Sequence, residues 1–242
     1  MIDTALAAGA AVLAGAFSVA TWERWLLRHR RHELAWSLAF ALYAIASFAL
    51  AVGLAGGWSG PVFRTFYAAG AVATVPVLAI GTVYFHFGRR VGDAVGMVVT
   101  ILVAVGVGVV IASPLRAALP ADELARGSEV FDAGPRIFAA IGSGLGALVV
   151  FAGAAWSAVR TRRLRHTVAN LLLAAGVAAN GASGLLNSVL GEMRGFVVML
   201  GVGIVLLFAG FVVATTPAPV RSPERAALAK RATEQLAAET VR

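Results

Sequence analysis

The apolar positions of this chain gather into long uninterrupted runs, and the polar positions into short stretches between them. A membrane-crossing helix needs about 20 mostly apolar residues, because backbone in lipid must satisfy its hydrogen bonds within the segment. Seven runs meet this requirement: Thr4–Trp22, Leu34–Val52, Thr65–Phe87, Ala94–Ser113, Ile137–Val159, Thr167–Leu190 and Gly195–Thr216. Strands of a membrane barrel would be about 10 residues long with alternating polarity. These runs are longer and apolar all round. The pattern therefore predicts an all-α fold, a polytopic bundle of seven transmembrane helices over residues 1–218 with a short tail over 219–242.

The charges orient that bundle. Arg24, Arg28, Arg30 and Arg31 follow the first run, Arg89 and Arg90 the third, and Arg160, Arg162, Arg163 and Arg165 the fifth; Arg221, Arg225, Lys230, Arg231 and Arg242 follow the seventh. The opposite side holds only Arg64, Arg116, Arg126, Arg136 and Arg194. Basic residues collect on the cytoplasmic side, so the N-terminus is expected outside and the C-terminus inside. Trp22, Trp25 and Trp36 flank the first basic loop and are expected to anchor it at the interface.

Composition agrees with the pattern: 60% of residues are apolar and 13% charged, with a mean hydropathy of +0.85. The net charge of +8 follows from the positive-inside bias, and no soluble basic domain is present to bind nucleic acid. The expected partners are the lipid bilayer and a cytoplasmic or membrane protein. There are no cysteines, hence no disulfide and no thiolate. The apolar N-terminal run is followed by arginines rather than a cleavage site, so it reads as a retained helix. One lysine against nineteen arginines, with heavy Ala, Gly and Val usage, points to a high-GC bacterial source and a cell (inner) membrane location.

One stretch echoes another. At an offset of 72, Arg64/Arg136, Phe66/Phe138, Ala68/Ala140, Gly70/Gly142, Val77/Val149, Gly81/Gly153 and Arg90/Arg162 are identical, and Tyr84/Trp156 is conservative. About two or three identities would be expected by chance in so biased a chain. Helices two apart in order run the same way, which fits a duplicated helical hairpin.

The runs contain no acid or base well away from their borders, which argues against proton relays, ion-coupled transport and voltage sensing. The seventh run has no lysine for a retinal Schiff base. Polar side chains concentrate in the sixth run. Asn180, Ser183 and Asn187 are spaced by three and four and share a face, with Asn170 nearer the cytoplasmic border. That face either joins helices, at roughly 0.6–2 kcal/mol per hydrogen bond, or lines a pocket; Arg64 and Arg136, at the outer border, either add a basic site for an anionic ligand to it or snorkel to headgroups and pair with acids of the long loop such as Asp122, Glu123, Glu129 and Asp132. Pro76 lies mid-helix, lacks an N–H for Val72 and predicts a kink; the Asn180 amide, at similar depth, or a water it holds, is expected to satisfy the freed carbonyl. His29, His32, His86 and His166 all lie toward the cytoplasmic border without acidic partners in the helices, so no metal site and no cofactor are expected. Gly142-Ser143-Gly144-Leu145-Gly146 imitates a nucleotide fingerprint but lies inside an apolar helix, where the Gly142/Gly146 spacing serves close packing. Ser143, Ser157 and Ser188 have no base arranged around them, and no catalytic residue is assigned. The longest loop, Pro114–Pro135, reads as a cap or a lid, with a short helix expected from Pro120.

The run FRTFYAAGAVATVPVLAIGTVYFHFGRR (Phe63–Arg90), with ELAWSLAFALYAIASFAL (Glu33–Leu50) before it, resembles a group of uncharacterised multi-pass membrane proteins of high-GC bacteria. The likeness covers most of the helical region and implies the multi-helix fold without an activity. More loosely, the seven-helix plan is similar to the membrane sensor modules of bacterial kinases. About 26 residues follow the last run, fewer than a kinase or cyclase output domain needs. The expectation is a non-enzymatic seven-helix protein that binds a lipid or small ligand and acts as a sensor or scaffold through a partner. A facilitator for an uncharged or amphiphilic solute is the alternative and would need a polar path from Asn187 through Asn180 to Asn170. A membrane lipid enzyme using His86 and Asp93 ranks third.

Overall fold

The computed structural model describes residues 1–116, 119, 127–160, 164–185 and 193–215. Every regular element among them is helical: α1 (Ile2–Arg28), α2 (Arg31–Gly56), α3 (Gly60–Phe66), a π-helical stretch (Tyr67–Thr74), α4 (Val75–Ala112), α5 (Gly127–Val130), α6 (Ala133–Arg160), α7 (Leu164–Leu185) and α8 (Met193–Thr215). Five helical runs are long and apolar enough to cross a membrane: Ile2–Arg28, Arg31–Gly56, Gly60–Ala112, Ala133–Ser157 and Arg194–Thr215.

Two differences from the sequence expectation have physical causes. Thr65–Phe87 and Ala94–Ser113 are joined in one 53-residue run, Gly60–Ala112, broken only where Gly88 takes φ 75° and ψ −168°. At 1.5 Å per residue a straight helix of that length would extend about 80 Å, more than twice the roughly 30 Å of hydrocarbon in a bilayer. Gly88 supplies the one conformation that breaks the rod without a loop, since only glycine adopts it cheaply. The second difference is α7, which is outside the five apolar runs. Arg165, His166, Asn170, Asn180 and Ser183 lower its hydropathy, and its expected continuation to Leu190 lies outside the described residues. The tail over 219–242 and the expected short helix at Pro120 also lie outside them.

Helix ends follow local chemistry. α1 continues past Trp22 to Arg28 and closes on His29 in the left-handed region (φ 51°), whose N–H donates to Trp25 O at 2.7 Å. α3 opens on Ser59, whose hydroxyl accepts from Val62 N, with Pro61 in the first turn. The last carbonyls of α8 face two arginines. Arg28 Nη1 donates to Thr215 O at 2.8 Å and Arg165 Nε to Val213 O at 2.7 Å, placing positive charge at the negative end of the helix.

The helices pack as α1 on α2, α7 on α8, and α6 against both α4 and α7, with α2 touching α4. Trp36 corrects the expected interfacial anchor. It is fully buried, packs against Gly81, and its Nε1 donates to Leu78 O at 3.3 Å. A Cβ at Gly81 would sit 2.2 Å from the indole ring, so the glycine is the seat for the tryptophan. Trp22 remains 40% exposed.

Candidate functional site

The site is built around Pro76. Proline has no N–H, so neither an α-helical bond to Val72 nor a π-helical bond to Ala71 can form at that position. The chain answers with the π-helical stretch Tyr67–Thr74 directly before it. Such wide turns are uncommon and gather at functional sites. Thr74 Oγ1 donates to Ala69 O at 2.7 Å, and Ser143 Oγ from α6 donates to Ala71 O at 2.7 Å. Ser143 thus takes the acceptor that a residue with an N–H at position 76 would have used in the π register. It sits 72 residues beyond Ala71, so the two echoing stretches lie side by side at matching depth.

That approach depends on missing side chains. A Cβ on Gly142 would come within 3.2 Å of Val72 O and Pro76 Cγ, and one on Gly146 within 3.0 Å of the Val75 carbonyl. Gly142 and Gly146 let the α6 backbone rest on the π-helical turn, the close packing that small residues permit in membranes.

Asn180 has a different partner from the one expected. Its Oδ1 lies 2.7 Å from the Tyr43 hydroxyl, which is also 2.5 Å from Leu200 O. One hydroxyl proton cannot serve two acceptors. With the amide turned over, Nδ2 donates to Tyr43 while Tyr43 donates to Leu200 O, and the hydroxyl proton serves one acceptor. The triad ties α2, α7 and α8 together. Ser183 Oγ donates back to Asn180 O at 2.7 Å.

Between these elements lies a cavity of about 720 Å³, within the range of small-molecule sites. Its walls come from α2, the π-helical stretch, α6, α7 and α8. Asn180, Ser183 and Arg136 line it, together with Tyr43, Ser47, Thr74 and Ser143. Asn187 lies outside the described residues. Arg64 is directed elsewhere: its Nη2 donates to Ser113 O at 2.8 Å and closes the end of α4. Arg136 opens α6 beside Tyr67 at the end of the cavity nearest α5, and is the only charged residue among the described lining residues. Ser47 is 1% exposed and its hydroxyl has no hydrogen-bond partner among the described residues.

Among the polar lining groups not expected at a pocket are Tyr43, Ser47, Thr74 and Ser143. Tyr43 and Ser47, four apart on one face of α2, carry the only local signal, since both are polar tips within an apolar run. Thr74 and Ser143 have none; their roles arise from the π register and from a helix 72 positions away.

Deeper in the bundle, below the cavity, the packing is apolar. Leu173, Val177, Ile204 and Leu207 are each at most 4% exposed. Beyond them Asn170 is 1% exposed, with Oδ1 3.0 Å from His86 Nε2 and Nδ2 donating to His166 O at 2.7 Å. Asp93 is engaged separately, by Arg31, by Arg89 at 3.5 Å and by the Tyr84 hydroxyl at 2.8 Å. This ionic cluster straddles the Gly88 break and edges a second hollow of about 1,090 Å³ between α2 and α4. Among the described residues no three His, Asp or Glu side chains converge as a metal site.

The chain matches no protein-family model, no curated protein and no solved structure, so the reading of the site rests on its own residues.

Proposed function

We propose that the protein is a seven-crossing membrane receptor or scaffold that holds a lipid or small amphiphile in the cavity beside Pro76 and works through a protein partner. In this reading Gly60–Ala112 crosses twice, turning at Gly88 beside Arg89 and Arg90, and α7 crosses as a partly polar helix shielded by α6 and α8. The N-terminus and the α5 end face outward, and the arginine-rich end is cytoplasmic. The cavity carries the proposal: 720 Å³ of space, framed by hydroxyls and an amide, in the interior of an otherwise apolar bundle. Tyr43, Thr74, Ser143 and Asn180 have their hydrogen bonds within the protein, so the space is rigidly edged rather than collapsed. The apolar packing of Leu173 and Leu207, beyond the wall residue Val177, lies between the cavity and Asn170, which favours a holding site over a through-path.

Native mass spectrometry of the protein released from lipid nanodiscs tests this. Gly181 lines the cavity, and a side chain there would meet nothing within 4 Å. Gly181→Phe is expected to fold and to lose an adduct that the wild type retains. A wild type that carries no adduct and takes up none from a bacterial lipid extract would remove the proposal.

A further inference from the structure

We infer that the occupant of this cavity is a single-chain amphiphile with one negative charge, its anionic end held by Arg136 and a hydrogen-bonding group in mid-chain held by Ser47. The inference rests on the ligand-holding reading above and adds the ligand's chemistry.

Three observations fix the chemistry. The first is charge. Arg136 is the only charged side chain among the described residues lining the cavity, and no acid lies within ion-pair distance of it among the described residues. By contrast, nearby Arg116 is already paired with Asp132. A guanidinium that lines an apolar chamber and has no ion-pair partner among the described residues is complementary to one carboxylate-like charge, which it can bind through two parallel N–H donors. Ser128 lines the same cavity.

The second is Ser47. Its hydroxyl is buried, lines the cavity and has no hydrogen-bond partner among the described residues, whereas Thr74, Ser143 and Tyr43 around the chamber are used internally. Thr74 and Ser143 donate to backbone carbonyls, and Tyr43 is bound to Asn180 and Leu200. A buried unpaired hydroxyl is costly in so apolar a setting, so a ligand atom that pairs with it gains selectivity there.

The third is length. The cavity follows α6 from Arg136 to Ala147, a rise of about 16 Å at 1.5 Å per residue. Ser143 lies seven residues beyond Arg136, roughly 10 Å deeper. Ser47 lies near the same level, because its neighbour Ala46 touches Gly70 while Ser143 bonds the adjacent Ala71. A polar ligand group is therefore wanted part-way along the chain. The apolar walls of Ala46, Ala139, Ala140 and Val177 carry the rest. Apolar burial alone cannot select a ligand here, because the bilayer offers the same environment. Recognition has to come from Arg136 and Ser47.

The test uses the full-length protein in phosphatidylcholine nanodiscs, titrated with stearate, stearate carrying a mid-chain hydroxyl, and the methyl ester of each, with occupancy read by native mass spectrometry. The hydroxylated acid is expected to bind tightest, at least tenfold more tightly than its ester. Arg136→Gln should erase the acid–ester difference, and Ser47→Ala should erase the preference for the hydroxyl while keeping that for the acid. Acid and ester binding equally to the wild type, or an acid preference that survives Arg136→Gln, would overturn the inference. If all four bind alike and Gly181→Phe blocks them all, the ligand-holding reading stands and the charge assignment falls. If none binds, and Gly181→Phe changes nothing, both fall.

Discussion

Ser143→Ala isolates the contact on which the cavity wall depends. Ser143 Oγ donates to Ala71 O at 2.7 Å, and Pro76 removes the backbone N–H that would reach that carbonyl in the π register. Leaving a buried acceptor unpaired costs about 1–3 kcal/mol in soluble proteins, whereas hydrogen bonds between membrane helices average about 0.6 kcal/mol and reach about 1.7. We expect a loss of about 1 kcal/mol. The same substitution in a Pro76→Ala background should cost almost nothing, because the restored N–H can reach back to the preceding turn. The coupling between positions 76 and 143 is then about 1 kcal/mol, measured by a double-mutant cycle of reversible unfolding in mixed micelles. Ser183→Ala is the control, since that hydroxyl donates within its own helix, to Asn180 O. Additivity of the two changes to within about 0.3 kcal/mol would refute the claim that Ser143 substitutes for the missing N–H.

Two further outcomes are expected. Tyr43→Phe leaves Asn180 and Leu200 O without their shared partner, so stability should fall by about 1–2 kcal/mol and Gly203, whose Cβ position lies 2.3 Å from Asn180 Oδ1, should become more tolerant of alanine; an unchanged unfolding midpoint would argue against the triad. Because the chain has no cysteine, single introduced thiols can map its sidedness: Ser59→Cys and Pro114→Cys should react with an impermeant maleimide from outside, and His29→Cys and Arg89→Cys only after the membrane is opened. Labelling of Arg89→Cys from outside would contradict the turn at Gly88.

The long apolar runs were legible in the sequence because lipid imposes one simple demand, continuous helical hydrogen bonding over about 20 residues. The polar face of α7 was legible for the same reason, since Asn180 and Ser183 are conspicuous in apolar company. What those groups bond was not, because the partners come from far along the chain: Tyr43 is 137 residues from Asn180. Pro76 announced a missing hydrogen bond, yet Asn180 was the wrong donor to expect. The π-helical turn shifted the free acceptor to Ala71 and rotated it toward Ser143, and register shifts of that kind leave no mark in composition or periodicity. Trp36 was misread for a related reason. Its position beside a basic loop looks interfacial, but the space left by Gly81 draws the indole into the core. Gly88 was unremarkable as a letter and became decisive only through its positive φ.

A reconstruction of the full chain in lipid nanodiscs, with an antibody fragment as fiducial, tests the central claim most directly. The account predicts elongated non-protein density running from Arg136 past Ser47 to the Tyr43–Asn180 contact, with Ser143 against the Ala71 carbonyl. A bundle in which α2, α6 and α7 close on one another, leaving no space between Tyr43, Thr74 and Asn180, would contradict it.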